Sequence, residues 1–224
     1  MPEGPDTGEF FVDTFIDPIC PWCMIGKRRL DRALSLSNAV AATRWHAFQL
    51  NPGMPMGGMD RGEYLAAKFG GPDRARHVYD MIRREGESEG IAFAFSRIRR
   101  TPNTVAAHRL LKFAGRLGRA DAVLDSLFNA YFVEGRDIGD PCELEAIAVA
   151  AGCNGGDVAQ FLAGDEDFDA VIAEDSAARA AGVSGVPFFI VGGRYQLSGA
   201  QSPEVIIRAF DLVRAETARA PLSR

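Results

Sequence analysis

Two thiols stand one helical turn apart in Cys20-Pro21-Trp22-Cys23, a spacing at which a cysteine pair can open and close a disulfide. The run before them, Phe10 to Ile16, is aromatic and β-branched, and the run after, Met24 to Leu36, carries Leu30, Ala33 and Leu34 at helical spacing. The pair is therefore predicted at a strand-to-helix junction. A helix N-terminus favours the negative thiolate, the reactive form of cysteine. Pro21 suits the first helical position, where a missing N–H costs nothing. The placement predicts unequal roles. Cys20, at the helix start, is the accessible nucleophile, and Cys23, a turn further in, lies beneath it and resolves the mixed disulfide.

Other residue types could carry chemistry of their own. Cys142 and Cys153 could complete a zinc site, but structural zinc usually takes two close pairs, and these two stand eleven positions apart. They read as buried small hydrophobes, with an auxiliary disulfide as the alternative. Asp13 and Asp17 lie close to the dithiol in the chain, and either could accept a proton from the resolving thiol. Asp17, three residues before Cys20, reads first as a turn or capping residue. His46, His77 and His108 are scattered, and no hydrolase motif accompanies them. His108 is a candidate to face the active site from a long helix.

The elements that must position the dithiol follow from periodicity. The order reads strand (Phe10–Ile16), helix (Pro21 to about Leu36) and strand (Arg44–Leu50), after which Asn51 to Gly58 breaks regular structure. Helical pattern then dominates to Ala181, over Asp60–Phe69, Pro72–Gly90, Asn103–Leu117, Ala120–Phe132, Cys142–Ala151, Gly156–Ala163 and Phe168–Ala181, interrupted by an extended piece at Ile91–Phe95. Strand character returns at Val186–Val191 and Arg194–Leu197, either side of Gly192-Gly193, a two-residue hairpin signal. A last helix is expected from Pro203 to about Arg214, with Thr217–Arg224 frayed. Neither end has enough strands to bury a sheet face alone, so the two ends must share one sheet.

Within the second strand pair, Pro187 opens an apolar run, a position proline tolerates. The Val186–Pro187 bond is expected to be cis and to lie across from Cys20, leaving the Val186 backbone free to pair with an extended substrate. The aromatics Phe93, Phe95, Phe128, Tyr131 and Phe132 read as core of the helical block. Trp22 and the Met54-Met56-Met59 loop are candidates for an apolar substrate groove.

Composition narrows the classes. Of 224 residues 47% are apolar and 25% charged, with a formal charge of −5, which argues against a general nucleic-acid or anionic-membrane binder. The basic clusters Lys27-Arg28-Arg29 and Arg97-Arg99-Arg100 read as solvated helix faces. Met1–Gly8 has neither the basic nor the apolar region of a secretory signal. No run reaches the length of a membrane span. A cytoplasmic location is expected, where a close cysteine pair is more often catalytic than a structural staple.

Five blocks in order carry a resemblance: Cys20 to Leu30, Phe48 to Pro52, Asn103 to Leu110, Val183 to Phe189 and Leu197 to Gln201. Together they resemble the DsbA family of the thioredoxin superfamily, and more specifically its cytoplasmic FrnE-type branch, from Phe10 to about Arg214. The resemblance implies an α/β thioredoxin fold (10–51 and 183–214) with a large α-helical insertion (52–182). It implies a thiol–disulfide oxidoreductase with Cys20 and Cys23 as redox pair, Pro187 as cis-proline, and Pro21, Trp22, Val186 and His108 at the substrate side. The same branch is similar to 2-hydroxychromene-2-carboxylate isomerases and kappa-class glutathione transferases, which usually carry Ser at the position of Cys20. A glutathione-dependent isomerase or transferase is therefore the alternative, with the γ-glutamyl carboxylate at Gly199-Ala200-Gln201. A redox-latched chaperone-like binder is the third reading. No tightly bound cofactor is expected, and glutathione would be a co-substrate. Expected partners are disulfide-containing proteins or small thiols, not nucleic acid or membrane, with homodimerisation left open.

Overall fold

A computed structural model describes residues 10–219 except 38 and 40; the segment Met1–Gly8 and residues 220–224 of the stretch expected to fray lie outside the described residues, while residues 217–219 of that stretch are helical. The first strand, β1 (Phe10–Ile16), alternates buried and half-buried positions, and Val12, Thr14 and Ile16 are the fully covered ones. Helix α1 (Pro21–Leu36) follows and ends where Ser37 N–H donates to Ala33 O at 3.0 Å. Strand β2 (Ala41–Ala47) runs parallel to β1, with Phe10 opposite Ala41 and Ile16 opposite Ala47.

This corrects the expected bounds of Arg44–Leu50. The ladder ends when the chain reaches Gln49 and Leu50, because their N–H groups are taken by the carboxylates of Asp175 and Asp17 and not by a strand.

A two-stranded clip of β3 (Met59–Asp60) and β4 (Arg100–Thr101) brackets α2 (Arg61–Phe69) and α3 (Pro72–Ser88). The helical block continues through α4 (Val105–Arg116), α5 (Ala120–Asn129), α6 (Pro141–Ala150), α7 (Gly155–Ala163) and α8 (Phe168–Ala180). Asp60, Asp140 and Asn154 cap α2, α6 and α7 through side-chain oxygens. Two expectations shift in this block. The non-helical break expected over Ile91–Phe95 is present at Ile91–Ala94, but Phe95 begins a 3₁₀ turn, Phe95–Arg97, held where Ala94 N–H reaches Phe132 O at 2.8 Å. The helix expected to Phe132 changes at Ala130 into a π turn, Ala130–Glu134, closed by Gly135 at φ 78°. Its aromatics, with Phe93 and Phe95, are buried in the largest core cluster.

The chain then returns to the sheet through β5 (Phe188–Val191) and β6 (Tyr195–Ser198) and ends in α9 (Pro203–Arg219), five residues longer than the apolar pattern predicts. The hairpin loop is Gly192 to Arg194, three residues and not two. Both glycines are at positive φ, and Arg194 N–H closes onto Val191 O at 3.1 Å instead of joining the ladder. Sheet order is β2-β1-β5-β6, with β5 antiparallel to β1 and Val12 opposite Val191. The two ends of the chain thus meet in one sheet, the α/β thioredoxin fold with its helices inserted between β2 and β5. A second core of Phe10, Val12, Leu30, Phe189 and Phe210 joins β1 and β5 to α1 and α9.

Candidate active site

Cys20 is the residue that caps α1. Its backbone is extended (φ −92°, ψ 112°), and its carbonyl accepts from Cys23 N–H at 3.0 Å. Its own N–H donates to Asp17 O at 2.9 Å, so the turn Asp17-Pro18-Ile19 delivers the sulfur to the helix start. The Cys20 thiol donates across 166 positions of sequence to Val186 O at 3.5 Å. Val186–Pro187 is the cis peptide of the described chain. Its loop sits against α1 at Gly26, where a Cβ would come within 2.8 Å of Pro187 Cγ and 3.3 Å of Phe189 Cζ.

Both thiols are free. Cys23 is fully buried. Its thiol is pushed well above its ordinary range, first by burial and then by the hydrogen bond and charge of the Cys20 sulfur.

Two expectations change here. Cys20 is only 3% exposed in this dithiol form, because its thiol points into the Val186 carbonyl. For the same reason that carbonyl is not free for a substrate strand. Pro21 and Trp22 are half-buried, and Trp22 packs on the main core.

Behind the dithiol lies a sealed polar pair. Asp17 is fully buried; its two carboxylate oxygens accept from Ile19 N–H at 3.3 Å and Leu50 N–H at 2.7 Å. Burial raises its pKa from 3.8 to about 7 against these hydrogen bonds, the Thr104 hydroxyl and the Lys68 charge. His108, expected at the substrate side, is 2% exposed and belongs here instead: helix α4 turns it inward, and Nε2 comes to 3.9 Å from Asp17 Oδ1. Burial lowers the His108 pKa from 6.5 to about 4, outweighing the charges of Glu174 and Asp175, so the imidazole is neutral and the pair is no salt bridge. Asn103 sets the start of α4, accepting from Val105 N–H at 2.9 Å and donating to Met54 O at 2.8 Å.

The remaining candidates disperse. Asp13 lies on β1, between β2 and β5, and faces His46 Nε2 at 2.9 Å, while His46 Nδ1 faces Glu174 at 2.9 Å. His77 is exposed. Cys153 is buried as expected, whereas Cys142 is exposed in the first turn of α6, where its backbone serves the Asp140 cap. A cleft of about 400 Å³ lined by Leu50, Met54, Met59, Tyr64 and Lys68 adjoins the Asp17 pocket through Leu50. Met56, at 65% exposed, is not among its lining residues. Two of the three N–H groups expected to hold a glutamyl carboxylate are already committed: Gly199 donates to Pro187 O and Gln201 to Gly199 O, each at 2.8 Å. Among the described residues no cluster of three or more His, Cys, Asp or Glu is placed to hold a metal ion.

A family model described as the DSBA-like thioredoxin domain matches residues 11–211, from the first strand into the last helix. The chain belongs to this DSBA-like family. A probable DsbA oxidoreductase from Streptomyces coelicolor superposes with a TM-score of 0.86 at 32% identity, covering 96% of this chain and 93% of its own. A 2-hydroxychromene-2-carboxylate isomerase gives 0.67 at 18% identity over 96% and 100% of the two chains. The cytosolic disulfide reductase DsbM from Pseudomonas aeruginosa, with GSH, gives 0.61 at 20% identity over 93% and 98%. At the level of the DSBA-like family, the fold is that of thiol–disulfide oxidoreductases and isomerases, the neighbourhood the five sequence blocks imply.

Asp17, read first as a turn or capping residue with proton acceptance as the alternative, is a fully buried acid, and the contact of Gly26 with Pro187 was not anticipated. A local signal existed for the second only: a glycine inside an otherwise good helix marks close approach of another segment.

Proposed function

We propose that this protein is a thiol–disulfide oxidoreductase that works through the Cys20–Cys23 dithiol. The observation that carries the reading is the Cys20 thiol at the mouth of α1, donating to the Val186 carbonyl beside Pro187. Cys20 attacks one sulfur of a substrate disulfide and releases the other as thiolate. The helix N-terminus, whose N–H groups have no intrahelical acceptor, favours the charged sulfur before attack. Val186 and Pro187 hold the incoming chain, Pro21 and Trp22 border it, and the sulfur enters where the Val186 carbonyl now sits. Cys23 then displaces the captured sulfur from Cys20, closing the protein disulfide. Its high pKa calls for a proton acceptor, and Asp17, buried behind it and titrating at about 7, fits that role.

Glutathione fits as a small-thiol co-substrate. Support comes from the fold shared with a disulfide reductase described with GSH, although the Gly199–Gln201 backbone is not the cradle for it. No helix among the described residues is long and apolar enough to cross a membrane, and a cytoplasmic site of action is part of the proposal. So is the division into a thioredoxin-fold unit (10–51 and 183–214) and a helical insertion (52–182).

Mixed-disulfide trapping tests the reading. The Cys23→Ser variant is expected to accumulate Cys20 adducts of a glutathionylated peptide and to lose turnover by at least about a hundredfold, while Cys20→Ser forms no adduct. Turnover in Cys23→Ser within about twofold of the parent would favour the glutathione-dependent isomerase or transferase instead.

A further inference from the structure

His108 carries the one buried side-chain nitrogen or oxygen without a hydrogen-bond partner among the described residues, Nε2. The ring's other nitrogen makes its hydrogen bond with the Phe48 backbone, which assigns the ring proton to Nδ1 and leaves Nε2 a bare lone pair. An unpaired acceptor in a sealed interior costs stability, and here it is aimed at a carboxyl, 3.9 Å from Asp17 Oδ1. With Asp17 ionised, two acceptors face each other. With Asp17 protonated, one becomes a donor, and closure of about 1 Å makes an ordinary O–H···N hydrogen bond.

We propose that His108 is the positioning residue for the resolving step: its Nε2 takes the hydrogen bond of Asp17 once Asp17 has received the Cys23 proton. The inference rests on the oxidoreductase reading and extends it to the residue that faces the proton acceptor. When Cys23 attacks Cys20, the Cys20–Cys23 bond forms as the bond from Cys20 to the substrate sulfur breaks. The substrate sulfur leaves with the electron pair, and the Cys23 proton passes to Asp17. The ionised carboxylate is held ready by the Ile19 and Leu50 N–H groups and the Thr104 hydroxyl. The protonated carboxyl is held by His108. Each protonation state therefore has its own partner, which keeps the acid near its midpoint at neutral pH.

Other charges face the pair from each packed element. Lys68 acts on Asp17 from α2 and Cys23 from α1, while Glu174 and Asp175 of α8 and Lys112 of α4 act on His108. None of them hydrogen-bonds Nε2, so they tune the pair without replacing either member.

The reduced protein can be mixed with dithionitrobenzoate, whose first aromatic thiolate reports attack by Cys20 and whose second reports displacement by Cys23. In the parent, the second release is expected to rise with a midpoint near pH 7. His108→Leu should lower that midpoint by about one pH unit and reduce the ratio of second to first release about five- to tenfold, the size of one lost hydrogen bond. His108→Gln, which places an acceptor oxygen near the Nε2 position, should restore both to within about twofold. A folded His108→Leu protein with the parent's midpoint and ratio would overturn the proposal, as would a Gln variant as impaired as Leu. On the unmodified protein, nitrogen NMR should show Nε2 without a proton and shifting with a midpoint near pH 7, a shift lost in Asp17→Asn. A proton resident on Nε2 would sink the idea. Absence of both thiolate releases in the parent would reject the oxidoreductase reading, while the imidazole resonance would still decide whether His108 follows Asp17.

Discussion

Helix α1 lies between two polar clusters of opposite character, each built around a buried group. On its outer flank Lys27, 1% exposed, holds three carboxylates: Asp31 at 2.9 Å, Asp125 at 3.0 Å and Asp121 at 3.2 Å. Burial would discharge the ammonium, yet the three carboxylates outweigh it and the Lys27 pKa is raised. Behind the helix start, Asp17 and His108 face each other with no cation in contact and one nitrogen unpaired. The first cluster is saturated with partners and stays charged; the second is short of one and is poised to exchange a proton. A buried charge that is fully paired fastens two elements together, here α1 to α5. A buried acid that is incompletely paired titrates within the physiological range.

The largest effect should come from breaking the saturated cluster. Lys27→Met leaves three part-exposed carboxylates facing one another with no cation between them, and is expected to cost about 2 to 3 kcal/mol in urea unfolding, below the range for a fully buried pair. The ratio of second to first thiolate release should not follow that loss. If the ratio fell in step with stability, the two clusters would not be separable.

Next in size is the pH dependence of the unsaturated pocket. Asp17 in the folded chain keeps a proton up to about pH 7 that the unfolded chain gives up near 3.8, so stability from this group is highest at low pH and falls as pH rises through that window. His108 has the opposite sign. It stays neutral in the fold down to about 4, whereas the unfolded ring charges below 6.5, so its contribution is lost on acidification. The two slopes oppose each other between about pH 4 and 6.5. Asp17→Asn removes one of them, and its stability relative to the parent should rise by about 2 kcal/mol between pH 5 and 8 in denaturant titrations. A difference that stays constant across this range would mean that Asp17 does not titrate as described.

A smaller effect is expected where α1 meets the Pro187 loop. Gly26→Ala puts a methyl group 2.8 Å from the pyrrolidine ring, which cannot swing aside like a flexible side chain. A cost of about 1.5 kcal/mol follows from overpacking, read as a lower thermal midpoint, together with slower first thiolate release as Val186 shifts from Cys20. Smallest of all is Asp121→Asn. Its carboxylate is 61% exposed and solvent-screened, so the loss should stay below about 0.5 kcal/mol.

Much of this molecule can be read in the chain order. The dithiol at a helix start, the returning hairpin and the helical run between them are local patterns, and they appear where periodicity and turn chemistry put them. What escaped has a common cause. Lys27 lies in a basic triplet that reads as solvated, and only the fold brings Asp121 and Asp125 of α5 against it; Arg29 of the same triplet is likewise drawn in by Glu85 and Glu89. Arg97, Arg99 and Arg100, which meet no such partners at depth, are exposed as expected. Asp17 looks like a cap because caps are local, whereas its burial depends on Leu50 and on α4 covering it. The end of β2 escaped too, since acidic side chains from distant segments take over where strand pairing stops.

The meeting of Cys20 with Val186 has a consequence for synthesis. The dithiol leaves the ribosome ahead of the whole helical block, and the carbonyl that shields its outer sulfur is made only after that block. Until then the growing chain carries its cysteine pair without that shield. The shield arrives late, when β5 slots in beside β1.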